Sequence, residues 1–134
     1  KWENGLATFH GMHSRGFPNS FFFGPAQSGF TATYTYSLDE QSIHLAYILK
    51  KAKEKGATRI EASEEAEEKW IKTIIDKARL TADFQENCTP GYYNNEGKVN
   101  QTPQNNTYGG GPIEFFSLMK KWRSKDNLEG LELR

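Results

Sequence analysis

Few residues in this sequence stand in a pattern that does chemistry unaided. His10 and His13 lie three apart beside Gly11. An H-x-x-H pair can bind a metal ion, but a zinc site wants four ligands and no third stands near. They read instead as two half-exposed histidines at a turn, and no metal is assigned. Glu64, Glu65, Glu67 and Glu68 could act as paired acids and bases only if a cleft held them. They fall on the charged side of a predicted helix and read as solvated. Lys50, Lys51, Lys53 and Lys55 are interleaved with Glu54 near a helix end, which is a solvated face rather than a nucleic-acid patch. There is no G-x-G-x-x-G, no P-loop, no Cys/His metal cluster and no nucleophile elbow. His, Ser and Asp are present, yet no spacing argues for a triad, so no catalytic residue is assigned. Two stretches could line a ligand: the small, polar and aromatic run 27–36, and Tyr92-Tyr93-Asn94-Asn95, which offers aromatic faces and amides as a lid.

Composition narrows the class. At 134 residues the chain is at most one domain. Its formal net charge of zero argues against a nucleic-acid partner or an anionic membrane surface. No run has the length of a membrane span, and no charged-then-apolar signal segment is present. The single cysteine, Cys88, builds no disulfide framework, which suits a reducing, cytoplasmic compartment. Three Asn-x-Thr matches, at Asn87, Asn100 and Asn105, read as chance in an Asn-rich stretch. The chain opens at Lys1 without a methionine, as a processed or truncated chain would.

The elements that would position these residues start with Gly16-Phe17-Pro18-Asn19-Ser20-Phe21-Phe22-Phe23-Gly24-Pro25. Three consecutive phenylalanines between turn residues predict a strand buried on both faces, as in a parallel sheet. A glycine-bearing loop follows. Residues 30–36 alternate aromatics with threonines, which fits a strand or an extended loop beside a flat ligand. Ser37 with Glu40 three residues later predicts a capping box opening a helix over 38–55, closed by Gly56. Residues 58–62 form a short extended link, and Ser63 caps a second helix. In that helix Ala66, Trp70, Ile74 and Ala78 recur every four residues as an apolar stripe. Residues 83–111 hold several breakers and little regular structure, and a connector of that length is usually functional or disordered. Pro112 suits the first position of a third helix with Phe115, Phe116, Met119 and Trp122 on its apolar side. Residues 128–134 could be a last strand. The fold class is therefore α/β: one or few core strands, three helices and a long irregular loop.

The ordered set of motifs goes further. Lys1-Trp2-x-x-Gly5, Gly16-Phe17-Pro18-Asn19-x-Phe21, Gly24-Pro25 and Glu40-Gln41 resemble the Baeyer–Villiger monooxygenases. So does Ile60-Glu61-Ala62-x-x-Glu65-Ala66-Glu67-x-x-Trp70. Cys88-Thr89-Pro90-Gly91-Tyr92-Tyr93-Asn94-Asn95-Glu96-Gly97-Lys98, followed by Tyr108-Gly109, Pro112, Phe115-Phe116 and Trp122-Arg123, resembles the branch acting on large cyclic or steroid-like ketones. The family uses FAD, NADPH and O2 to insert one oxygen atom beside a ketone carbonyl. The resemblance implies the C-terminal part of such an enzyme, inactive alone, whose partner is the remainder of the parent. Residues 1–56 would end the FAD domain with its last core strand and helix. Residues 57–134 would supply the C-terminal helices and a control-loop-like segment. It implies flavin contacts from Gln27, Ser28, Thr33 and Thr35, and a substrate wall of Phe30, Tyr34 and Tyr36. The helix after Ser37 would aim its positive end at the flavin, favouring negative charge on its reduced form. Thr89, Tyr92, Tyr93 and Asn94 would belong to the loop that folds over NADP. In the better-studied branch a Trp stands near the place of Thr89, and Tyr92 or Tyr93 would substitute for it. The family's glycine fingerprints and catalytic arginine are absent from this stretch, and Arg15 is not equated with the latter. The rival reading is a free-standing α/β module that presents the Tyr92-Tyr93 loop and the Phe115/Phe116/Trp122 helix to a partner without catalysis.

Overall fold

The structure, a computed structural model, describes residues 1–78, 87, 89–91 and 103–134. The elements run α1 (Tyr34–Glu54), β1 (Ile60–Ala62), α2 (Glu64–Ala78), a 3-10 turn at Pro103–Asn105, α3 (Gly111–Ser124) and β2 (Leu131–Leu133). Among the described residues, three α-helices around a two-stranded sheet match the expected architecture. Cys88, Tyr92, Tyr93 and Asn94, with most of the irregular loop, lie outside the described residues.

The sheet is antiparallel, with Ile60 opposite Leu133, Glu61 opposite Glu132 and Ala62 opposite Leu131. Past its end, the Arg134 carbonyl accepts from both Thr58 and Arg59 N–H at 2.7 Å. The core lies between this sheet and the helices. Ile48 and Ala52 enter from α1, Trp70 and Ile74 from α2, Phe115, Phe116, Met119 and Trp122 from α3, with Phe9, Tyr108 and Leu128 between them. The periodic stripe foreseen on α2 and the apolar side foreseen on α3 are therefore the buried ones. Ser63 caps α2 through its Oγ, which accepts from Ala66 N–H at 3.2 Å, and Pro112 sits at the start of α3.

Three expectations are corrected. The phenylalanine run is not a strand: among the described residues the strands are β1 and β2. Phe21 and Phe22 are half-buried and Phe23 is 45% exposed. A strand needs ladder partners on its edges. Among the described residues this stretch forms no ladder: Phe22 N–H donates to the Met12 carbonyl and Asn19 N–H to the Ile60 carbonyl, both at 2.9 Å, and the Asn19 side chain takes Ile60 N–H in return. Secondly, α1 begins at Tyr34, so residues 34–36 are helical rather than extended, and Ser37 is a buried position inside the helix instead of its cap. Thr33 takes the N-cap place without a side-chain cap bond. Thirdly, Glu67 is not solvated but 7% exposed, for reasons given below.

Candidate functional site

α1 has an unusual buried face. Its inward positions read Ser37, Glu40, Gln41, His44, Ile48 and Ala52, polar in the first half and apolar in the second. The apolar half anchors in the core. The polar half is held by specific bonds to the Gly24–Ser28 loop and to α3. Gln41 grips one residue twice: Gly24 N–H donates to its Oε1 at 3.2 Å, and its Nε2 donates to the Gly24 carbonyl at 3.0 Å. The same Nε2 reaches Ser28 Oγ at 3.2 Å. Gly24 has φ +147°, a backbone region closed to residues with a Cβ, and that explains the glycine. On the other side Tyr36 Oη donates to Glu40 Oε1 at 3.3 Å, and Lys120 Nζ approaches the same oxygen at 3.4 Å.

The residues singled out from sequence divide into two sets. Gln27 and Ser28 are fully buried, with their side chains turned inward. Gln27 Nε2 donates to the carbonyls of Leu6 and Gln104 at 2.7 and 2.8 Å, and its Oε1 accepts from Thr8 Oγ1. Its own N–H and carbonyl are taken by the Asn106 carbonyl and Trp70 Nε1. Ser28 Oγ donates to the Gly24 carbonyl. Phe30, Thr33, Tyr34, Thr35 and Tyr36 instead stand together at the exposed start of α1. Phe30 and Tyr34 have ring centres 6.3 Å apart, and Tyr36 lies edge-on to Phe116 at 5.4 Å. The first turn carries no acid. Tyr36 N–H bonds the Thr33 carbonyl at 3.0 Å, but no side chain caps this helix start, a place that favours negative charge. Thr89 is exposed.

Sequence reasoning missed two buried polar groups. Lys1 Nζ, Ser14 Oγ and Arg15 N–H all donate to the Glu67 carboxylate, at 2.8, 3.1 and 2.8 Å. The signal was available, since Glu67 stands three and seven residues before Trp70 and Ile74 on the same helical stripe. The second is a histidine cluster. His10 and His13 are 3% and 2% exposed, not half-exposed, and His44 joins them at 1%. The His10 and His44 rings are 5.7 Å apart. Among the described residues, His10 Nδ1, His13 Nε2 and His44 Nε2 find no hydrogen-bond partner. Burial drives His10 well below its ordinary pKa, helped by His44 and His13. Burial lowers His13 to about 4. Burial, then Arg123 and His13, lowers His44 to about 3. All three are neutral near pH 7. No spacing ties His44 to the other two, so only the fold reveals the cluster. His10 also lines a cleft of about 420 Å³ between α2 and α3, walled by Phe9, Trp70, Leu118 and Trp122. Among the described residues no group of three or more His, Cys, Asp or Glu is arranged to hold a metal, and no helix is long and apolar enough to cross a membrane.

No family model matches the chain. Individual proteins do. Along 100% of its length it is 47% identical to the neopentalenolactone D synthase of Streptomyces avermitilis, spanning 23% of that protein. Along 99% of its length it is 35% identical to a Baeyer–Villiger monooxygenase of Stachybotrys chlorohalonatus, spanning 22% of it. Among solved structures, the polycyclic ketone monooxygenase of the fungus Thermothelomyces thermophila superposes with a TM-score of 0.90 at 30% identity. That superposition covers 98% of this chain and 22% of that one. The chain thus spans less than a quarter of the curated relatives it matches.

Proposed function

We propose that this chain, in sequence and fold a segment of a Baeyer–Villiger monooxygenase, is the C-terminal part of an FAD- and NADPH-dependent enzyme that converts a ketone to an ester or lactone, and that it is inactive alone. The observation that carries this reading is the end-to-end match to about a quarter of much longer relatives. In this reading residues 1–56 complete the FAD domain and 57–134 add the C-terminal helices and the loop over NADP.

The start of α1 suits a flat, electron-rich group: a helix end with no side-chain cap and no acid, flanked by exposed Phe30 and Tyr34. When bound, FAD with NADPH supplies the redox chemistry, and protein groups supply orientation and electrostatics. Thr33 and Thr35 offer hydroxyls to the flavin edge. Gln27 and Ser28 contribute by fixing the path of the loop that precedes it. Phe30, Tyr34 and Tyr36 wall the ketone. Thr89, Tyr92, Tyr93 and Asn94 cover NADP. The partner is the remainder of the parent enzyme. A cytoplasmic setting belongs to the same proposal and rests on the single cysteine.

The test compares the 134-residue chain with the full parent. With added FAD, the short chain is expected to show no NADPH oxidation, while the parent oxidises NADPH in response to ketone. Robust turnover by the short chain overturns the claim that it is inactive alone. A parent that takes up no FAD overturns the flavin reading.

A further inference from the structure

We infer that Gln41 is a positioning residue for the ketone pocket: its side-chain amide locks the Gly24 turn to the start of α1 and so sets where Tyr34 and Tyr36 stand. The inference rests on the flavin and ketone reading given above. Three observations meet at this side chain. Gln41 is 2% exposed, and all its polar contacts lie within the chain. It pairs with both the N–H and the carbonyl of one residue, Gly24, as a neighbouring strand would, at the end of a stretch that lacks ladder partners. Gly24 in turn lies beside one of the proposed pocket residues, since a Cβ placed on it would be 3.9 Å from Tyr34 Oη. Its neighbour Glu40 fixes the same turn of α1 in the other direction, through Tyr36 Oη and the Lys120 ammonium of α3.

A two-point amide clamp differs from packing. An apolar side chain of similar size fills the space but leaves the Gly24 N–H without its partner and its carbonyl with Ser28 Oγ alone, and Gly24, at φ +147°, has wide conformational freedom once released. The turn then drifts, and the aromatic wall moves with it. Chemistry at the cofactor does not pass through Gln41, so the effect falls on ketone binding more than on flavin content.

The experiment uses the full parent enzyme with Gln41→Leu and with the nearly isosteric Gln41→Glu, whose carboxylate faces the Gly24 carbonyl without a donor. Ser42→Ala, on the exposed side of α1, is the control. Both Gln41 variants are expected to keep FAD, to raise the ketone KM about tenfold with a smaller change in kcat, and to alter the visible circular dichroism of the bound flavin. Ser42→Ala is expected to match the wild type. Unchanged KM and flavin dichroism in a folded Gln41 variant overturns the inference, as does failure of both variants to fold, which would make the clamp purely structural. A wild-type parent without flavin defeats the underlying reading instead, so the two failures are distinguishable.

Discussion

Tyr34 illustrates what a single side chain contributes. It is 41% exposed, with one aromatic neighbour in Phe30 and little buried area to lose. In the parent enzyme, Tyr34→Ala is expected to shift the ratio of kcat/KM between a bulky and a small ketone by about tenfold, the scale of one pocket contact. Expression and melting temperature should stay close to wild type. Equal relative rates across the two ketones would remove Tyr34 from the pocket wall. Residue identity at this scale was partly legible. Aromatics that alternate with threonines marked the stretch, but alternation could not say that Tyr34 and Tyr36 were already helical. Gln27 reads from sequence as a polar loop residue available to a ligand. In the fold its amide is consumed by Thr8, Leu6 and Gln104, partners that sequence distance hides.

At the scale of elements, periodicity was a good guide where one chain supplies both sides of the contact. The α2 stripe and the α3 aromatic side are buried as their spacing foretold, because both enter one core, where the Trp70 and Phe115 rings lie 6.1 Å apart. The same spacing, applied to acids, would have put Glu67 on the inner face. Its carboxylate ties α2 to the first fifteen residues through three donors. Glu67→Ala, which leaves the Arg15 N–H without its acceptor and Lys1 without its carboxylate, is expected to cost about 1–3 kcal/mol in urea unfolding. Glu68→Ala, one step round the helix and exposed, should cost close to nothing. Equal effects at the two positions would show that the hub carries no stability. The phenylalanine run was misread for the opposite reason. Its composition suits a strand flanked on both sides, and among the described residues no strand flanks it.

For the whole molecule, the histidine cluster makes stability depend on pH. His13 and His44 have folded pKa values of about 4 and about 3, against 6.5 when unfolded, and His10 is lowered as well. Between these limits the unfolded chain binds more protons than the folded one, so stability rises with pH. It should be level above pH 7 and decline from 6.5 downwards, by up to about 1.4 kcal/mol per pH unit for each histidine. The carboxylates held below their ordinary range, Glu61 by Arg59 and Gly16 N–H and Glu114 by Lys77 and Tyr108, begin to count only below about pH 4.5. Urea midpoints measured from pH 7.5 to 5 therefore report the histidines, and a flat profile across that range would refute the buried, neutral cluster. Phe23, Ile43, Leu49 and Ile113 are exposed on this fold.

One consequence of the small sheet concerns handling of the protein. The terminal Arg134 carbonyl receives two N–H groups from the stretch just ahead of β1, and Leu131 and Leu133 pack against the core. The final four residues act as a latch on the centre of the chain. An affinity tag joined directly after Arg134, or a protease that trims a few residues there, would work on the fastening that holds Ile60 and Ala62 in place.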